Sequence, residues 1–306
     1  MTGGTPPAIA GLVPPGLKHY LMLATLALLW GSSQQFTKVA VDSIPPVTIT
    51  AMRCVVGALI LYGALKALGG RLPPLGPVWR PVAIIAVLGN IAPLIFMGWG
   101  LERIDSALAS ILVSVSPLCA MTLAHFTLKD EPMTRNRAIG FGFGMIGVVI
   151  VIGPDALMRF GDNVWGQLSI IAAAVSFAFS AMAARRLPPG LDLANAAAVL
   201  IVAAMAIVPA ALVVDRPWTL SPTLSSFAAA LWLSVLPMAL ATFIYLRLIT
   251  TVGVNFCAYI SYLTPVVGVV GGAFVLGEQL PLRAVVALAM ILVGIAIAEW
   301  SKLRRR

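Results

Sequence analysis

Charge is scarce in this chain. Asp, Glu, Lys and Arg together make up 10% of its 306 residues, against about 25% in soluble domains. The shortage is concentrated in long runs: residues 19–37, 81–101, 106–128, 138–154, 163–184, 193–214, 217–246 and 248–277 contain none of the four. Runs of that length exclude an ordinary soluble domain, because about 20 apolar residues in helix span a bilayer core. Histidine is nearly absent, with two residues, His19 and His125, both near the ends of apolar stretches. Neither an H-E-x-x-H nor a Gly-x-Ser-x-Gly motif occurs, so an intramembrane metalloenzyme or serine hydrolase lacks its parts, and no cofactor or metal is implied. The three cysteines, Cys54, Cys119 and Cys257, sit inside apolar runs without metal-ligand spacing and read as small buried hydrophobes. All eleven acidic residues fall at helix ends or in loops. A carboxylate relay within the spans, common in proton-coupled carriers, is therefore not expected.

What is present is hydrophobicity, 60% of the chain with a mean hydropathy of +1.00. Two weaker stretches, 43–65 and 284–298, join the eight runs, and ten helices are predicted near 20–40, 46–68, 81–101, 106–127, 136–153, 164–184, 193–214, 224–246, 255–276 and 282–300. Residues 1–17 are a Gly- and Pro-rich tail that makes a poor signal peptide. The net charge of +9 would suggest nucleic acid in a soluble protein, but the basic residues alternate by loop. With the N-terminus cytoplasmic, fourteen Lys and Arg fall on the cytoplasmic side and five on the other. The positive-inside rule thus explains the basicity as topology, puts both termini in the cytoplasm and leaves no role for nucleic acid.

The chain repeats itself. "LASILVSVSPL" (108–118) resembles "CAYISYLTPVV" (257–267), with Pro117 and Pro265 late in matching helices. Glu131 and Glu278 follow them, and then two closing helices in which Gly147 matches Gly294, an offset of 147 residues. The same offset lays Trp30 on Phe177 and Ser33 on Ser180. The expected fold class is an all-α membrane protein of two five-helix repeats, 18–154 and 155–306. Because five is odd, the second enters the membrane from the opposite side. Inverted repeats that pack around a central site are a transporter architecture.

Within the first run, "LLWGSSQQFTK" (28–38) concentrates polar side chains. At membrane depth these need protein partners or a wet cavity. Trp30, Gln34 and Lys38, at i, i+4 and i+8, share a helix face that is read here as turned to the bundle centre; interhelical hydrogen bonding is the alternative for Gln34. This stretch resembles the Trp-Gly-Ser start of the EamA family of the drug/metabolite transporter superfamily. "AMRCVVGALI" (51–60), the Ala-rich helix ending at Pro117, and "LGEQLPLRAVVALAMILVG" (276–294) match the family as well. The chain departs from it in "KDEP" (129–132), where Gly-Glu is common, and at Phe177-Ala178, where Trp is frequent.

The resemblance implies a ten-helix transporter of the bacterial inner membrane, similar to exporters of aromatic amino acids. It also implies a cavity lined by the third, fourth, eighth and ninth helices. The residues in those helices agree: Asn90, Pro93, Met97 and Trp99 in the third, Ser106, Ser110, Ser114 and Pro117 in the fourth, Pro237 and Tyr245 in the eighth, and Tyr259, Tyr262 and Pro265 in the ninth. Trp99 stands opposite Asn90 on a regular helix, so both face the cavity only if Pro93 distorts it. For the tyrosines the alternative is interfacial anchoring. Trp30, Gln34, Asn90, Met97, Trp99, Ser110, Ser114, Phe177, Tyr259 and Tyr262 are the expected substrate contacts. Arg53, Pro93, Pro117, Pro237, Pro265 and Glu278 are the expected structural or gating residues.

Arg53 should pair with Asp42 or Glu278 as a latch, or contact substrate. The "GFGFG" run (140–144) puts Gly140 and Gly144 at small-xxx-small spacing, for packing in the bundle or in a dimer; a monomer is the simpler expectation. With no cation counted at mid-depth, the expected partner besides lipid is a small, neutral or zwitterionic, partly apolar solute: an amino acid or another neutral metabolite.

Overall fold

A computed structural model describes residues 13–127, 135–152, 162–188, 190–257 and 259–303. Glu131 lies outside them. Among the described residues there is no strand, and fifteen α-helices follow one another. Helices satisfy every interior backbone group within the segment, which an apolar run in lipid requires. They are α1 (Leu17–Gly31), α2 (Ser33–Ala40), α3 (Pro46–Ala67), α4 (Trp79–Ile85), α5 (Ala92–Leu101), α6 (Ser106–Val113), α7 (Ser116–Thr127) and α8 (Arg135–Ile152). Then come α9 (Asp162–Ala184), α10 (Asp192–Val214), α11 (Leu224–Leu233), α12 (Ala241–Val252), α13 (Val254–Cys257), α14 (Ile260–Val275) and α15 (Leu282–Leu303).

Six helices, counted across the α6–α7 turn and the π turns, are long and apolar enough to cross a membrane: Pro46–Ala67, Trp79–Leu101, Ser106–Phe126, Val164–Ala184, Asp192–Val214 and Leu224–Ile249. Shorter apolar helices cover Ala138–Ile150, Ile260–Val275 and Leu282–Ala298. The first expected helix is broken. The Ser32 hydroxyl donates to the Leu28 carbonyl one turn back, a bond that bends helices, and α1 ends at Gly31. The eighth runs past its expected end at 246 to Val252, where Gly253 with φ 90° stops it.

Two helices carry a π-helical turn, Ala86–Ile91 ahead of Pro93 and Ser234–Leu240 around Pro237. Proline has no N–H to give the ladder, and its ring clashes with the carbonyl four residues back. A widened turn absorbs both defects. Asn90 and Pro237 are one repeat offset apart, so the two distortions occupy equivalent places.

Packing follows the same register. α8 lies along α15, α3 along α10, and α6 along α14. α9 packs on α4 to α7, and reciprocally α1 packs on α12 and α14. Glycines set the closest seams. A Cβ on Gly147 would stand 2.8 Å from Ile291 Cγ1, and one on Gly140 would stand 2.7 Å from Ala298 Cβ. The glycine run therefore packs within the bundle, against α15.

Candidate functional site

Between the two halves lies a cavity of ≈ 450 Å³. Five repeat-related pairs contribute to its walls: Trp30 with Phe177, Asn90 with Pro237, Val113 with Ile260, Ser114 with Ser261, and Pro117 with Thr264. Each pair is 147 residues apart, so the cavity sits where the two repeats face each other. The broken helix α1–α2, the two π turns and the α6–α7 break all border it, and irregular backbone at membrane depth belongs beside such a cavity.

Several lining groups are held by their own surroundings. The Trp30 indole Nε1 donates to the Pro237 carbonyl at 3.1 Å, and its ring lies 5.3 Å from that of Tyr245. This bond joins the two repeats at the second π turn. Asn90 Nδ2 donates to the Ile85 carbonyl, five residues back, at 3.2 Å. Ser110 Oγ donates to the Ser106 carbonyl at 2.8 Å and Ser114 Oγ to the Ile111 carbonyl at 2.6 Å. Three other lining atoms are buried without any hydrogen-bond partner: Gln34 Oε1, Thr264 Oγ1 and Arg53 Nε.

Arg53 departs most from expectation. Its side chain is 6% exposed and borders the cavity, which corrects the expectation of a wall without a cation. The expected latch is absent: among the described residues neither Asp42 nor Glu278 forms an ion pair with Arg53. Asp42 is exposed. Glu278 is engaged elsewhere: it accepts from the Ser106 backbone N–H at 2.8 Å, the Ala107 N–H at 2.9 Å and the Ser106 hydroxyl at 3.0 Å, capping α6. A carboxylate at a helix N-terminus is favourable there.

Trp30, Gln34, Asn90, Met97, Ser110, Ser114 and Phe177 come together on the cavity with Arg53, Pro117, Pro237 and Pro265. Trp99, Tyr259 and Tyr262 do not. Trp99 is 45% exposed beside Phe96: the π turn ends before Pro93, and the regular helix beyond it turns Met97 inward and Trp99 away. Tyr259 precedes the start of α14 and is 47% exposed against Phe256. Tyr262 packs on the core cluster of Ile111 and Leu112. Pro93 is buried off the cavity, and Lys38 Nζ donates to the Ile104 carbonyl at 2.8 Å, away from the expected shared face. Val113, Ser116, Met238, Thr242, Ile260 and Thr264 line the cavity unforeseen. For Thr264 the signal was present, since the repeat offset carries Pro117 onto it.

The two ends of the cavity differ. A second space of ≈ 520 Å³, bordered by Arg185, Asp192, Asn195 and Tyr245, shares Asn90, Met238 and Thr242 with the first. The site thus adjoins a vestibule at the Arg185 end, with Asn90, Met238 and Thr242 between the two. The opposite end is tied across the repeats. Besides the Glu278 cap, the Thr48 N–H and hydroxyl both donate to Asp215 Oδ2 at 2.8 Å. Ser226 Oγ donates to the Val39 carbonyl at 2.8 Å, and Gln35 Nε2 to the Gly268 carbonyl.

An all-helical, multi-pass membrane protein with duplicated halves around a polar-spotted cavity has the architecture of a solute transporter. The chain belongs to the EamA-like transporter family, whose model matches it twice, at residues 17–153 and 164–300. The matched stretches are displaced by the same 147 residues. The chain is 25% identical over 286 residues to the "Uncharacterized inner membrane transporter YedA" of Escherichia coli (strain K12), covering 92% of this chain and 90% of that protein. It is 22% identical over 293 residues to the "S-adenosylmethionine/S-adenosylhomocysteine transporter" of Chlamydia trachomatis serovar L2, covering 91% and 88%. A solved protein structure, 22% identical, superposes with a TM-score of 0.65 over 94% of this chain and 99% of its own.

Proposed function

We propose that the chain moves amino acids, favouring those with aromatic or other apolar side chains, across the bacterial inner membrane by alternating access. In this reading ten helices cross the bilayer as two inverted units, 18–154 and 155–306. The tail 1–17 and both termini are cytoplasmic, and the chain works as a monomer. The observation that carries the reading is the cavity itself. Trp30, Phe177, Met97 and Met238 offer apolar area to its wall, and Gln34, Asn90 and Thr264 offer polar atoms. Small-molecule sites commonly combine these two features. The family match supports a transporter, and one relative's named solute, S-adenosylmethionine, is itself an α-amino acid with a large substituent.

The positive-inside count places the Arg185 end on the cytoplasm, so the vestibule faces the cytoplasm and the Glu278 end is the closed outer face. No Asp or Glu borders the cavity among the described residues. Transport accordingly runs down the solute's own gradient, by facilitation or exchange. The test is flux of labelled phenylalanine, methionine and a neutral drug-like aromatic in proteoliposomes, with and without an imposed pH gradient. Phenylalanine or methionine should move fastest and without response to the gradient. Faster movement of the drug-like compound makes the protein an exporter of other neutral metabolites.

A further inference from the structure

Arg53 has no structural counterpart in the second repeat. The offset carries it to Leu200, on α10, and carries Gln34 to Ala181 on α9. A helix of this bundle therefore packs at that register with an apolar side chain, and the fold does not call for a cation there. Yet Arg53 is buried at cavity depth, its Nε lacks a partner, and no Asp or Glu borders the cavity among the described residues. Burying a guanidinium unpaired in a membrane-embedded site is costly. Its fork of donors matches a carboxylate. The other two orphaned atoms of the wall, Gln34 Oε1 and Thr264 Oγ1, are oxygens able to accept a hydrogen bond.

We propose that Arg53 anchors the carboxylate of the transported solute, and that the Gln34 carbonyl and Thr264 hydroxyl receive its ammonium group. This rests on the reading of the cavity as the transport site and narrows the solute class to small carboxylates with an apolar tail, α-amino acids foremost. The solute then enters in one orientation, its charged end at Arg53, Gln34 and Thr264 and its side chain among the apolar residues of the same wall. A single cation in a largely apolar wall suits a monoanion and disfavours a phosphate dianion.

The experiment is ligand-induced thermal stabilisation of the purified full-length protein with four matched probes: phenylalanine, 3-phenylpropanoate, phenethylamine and phenyl phosphate. Phenylalanine should stabilise at the lowest concentration and 3-phenylpropanoate next, with phenethylamine and phenyl phosphate far weaker. Arg53→Lys should weaken the response to both carboxylates, and Arg53→Gln should raise their half-saturating concentrations about tenfold to a hundredfold, the worth of a charged hydrogen bond. Gln34→Leu should bring phenylalanine down to the level of 3-phenylpropanoate. If Arg53→Gln does not elute as a monodisperse species, the probe series on the unaltered protein and on Arg53→Lys decides. The proposal is overturned if no carboxylate stabilises, if phenethylamine or phenyl phosphate matches phenylalanine, or if folded Arg53→Gln responds unchanged. Arg53-dependent stabilisation without flux of any amino acid would sink the transport reading and leave the anchor standing. Amino-acid flux indifferent to Arg53→Gln would do the reverse.

Discussion

The two ends of the cavity are built from repeat-related helices, yet one is open and the other tied. Toward Arg185 the walls part into the ≈ 520 Å³ vestibule. Toward Glu278 they are joined by bonds from Ser106, Ala107, Thr48, Ser226 and Gln35 to groups of the other repeat. The helices at the two ends are equivalent, so the difference lies in which face of the repeat interface is engaged. Two halves that can adopt either arrangement around an unchanged middle are what alternating access requires. Polar side-chain ties suit such a closure better than apolar packing does, because they can exchange protein partners for water when the face opens.

The largest expected effect comes from cutting the tie that makes the most bonds. Glu278→Ala removes three hydrogen bonds and the cap of α6, and should destabilise the closed arrangement by about 1–3 kcal/mol. In a variant lacking the three native cysteines and carrying Ser110→Cys, an impermeant maleimide applied at the Glu278 face should then react about tenfold faster or more, as a shift of that size implies. An unchanged labelling rate would mean that this end is not held shut by Glu278.

The open end is tested by filling it. Thr242 borders both the site and the vestibule, and its hydroxyl donates to the Met238 carbonyl at 2.6 Å. Thr242→Trp should obstruct the junction and lower solute flux about tenfold, while Thr242→Ser keeps the hydroxyl and should transport normally. The added bulk carries an overpacking cost of about 1–3 kcal/mol, so melting curves of both variants accompany the flux measurement. Normal flux through a folded Thr242→Trp protein would remove the vestibule from the transport path.

Much of this arrangement was legible in the chain, and the exceptions have physical causes. The helical class follows from charge-free length, and the duplication from the 147-residue offset that the two family matches reproduce. Trp30, Gln34, Asn90 and Ser114 could be placed because polar or amphipathic residues in apolar runs need a wet or protein-lined surface. Trp99, Tyr259 and Tyr262 could not, because amphipathic rings also suit exposed helix faces and core edges, and spacing does not reveal where a helix breaks. The breaks at Ser32 and before α14 come from tertiary packing and local back-bonding. Arg53 was assigned a carboxylate partner on the general cost of a buried charge. The structure gives that carboxylate, Glu278, to the N-terminus of α6, whose orphan N–H groups compete for the same oxygens.

The smallest effect sharpens the comparison by testing whether the closed end hides part of the site. Trp99 lies on α5 two residues beyond the cavity-lining Met97, facing outward at 45% exposure, with its ring 6.1 Å from Phe96. Its backbone carbonyl, which any residue would supply, accepts from Arg103 Nη1 at 2.8 Å. Trp99→Phe keeps an aromatic ring against Phe96 and removes only the indole N–H and some surface area. Stability should change by no more than about 0.5 kcal/mol, and both the half-saturating solute concentration and the flux should stay within about twofold, well under one hydrogen bond to a charged group. The informative readout is the split between them. Unchanged binding with slowed flux would mean that Trp99 joins the path only when the Glu278 end opens, which requires α5 to rotate rather than tilt. Loss of binding itself would contradict the placement of Trp99 outside the site.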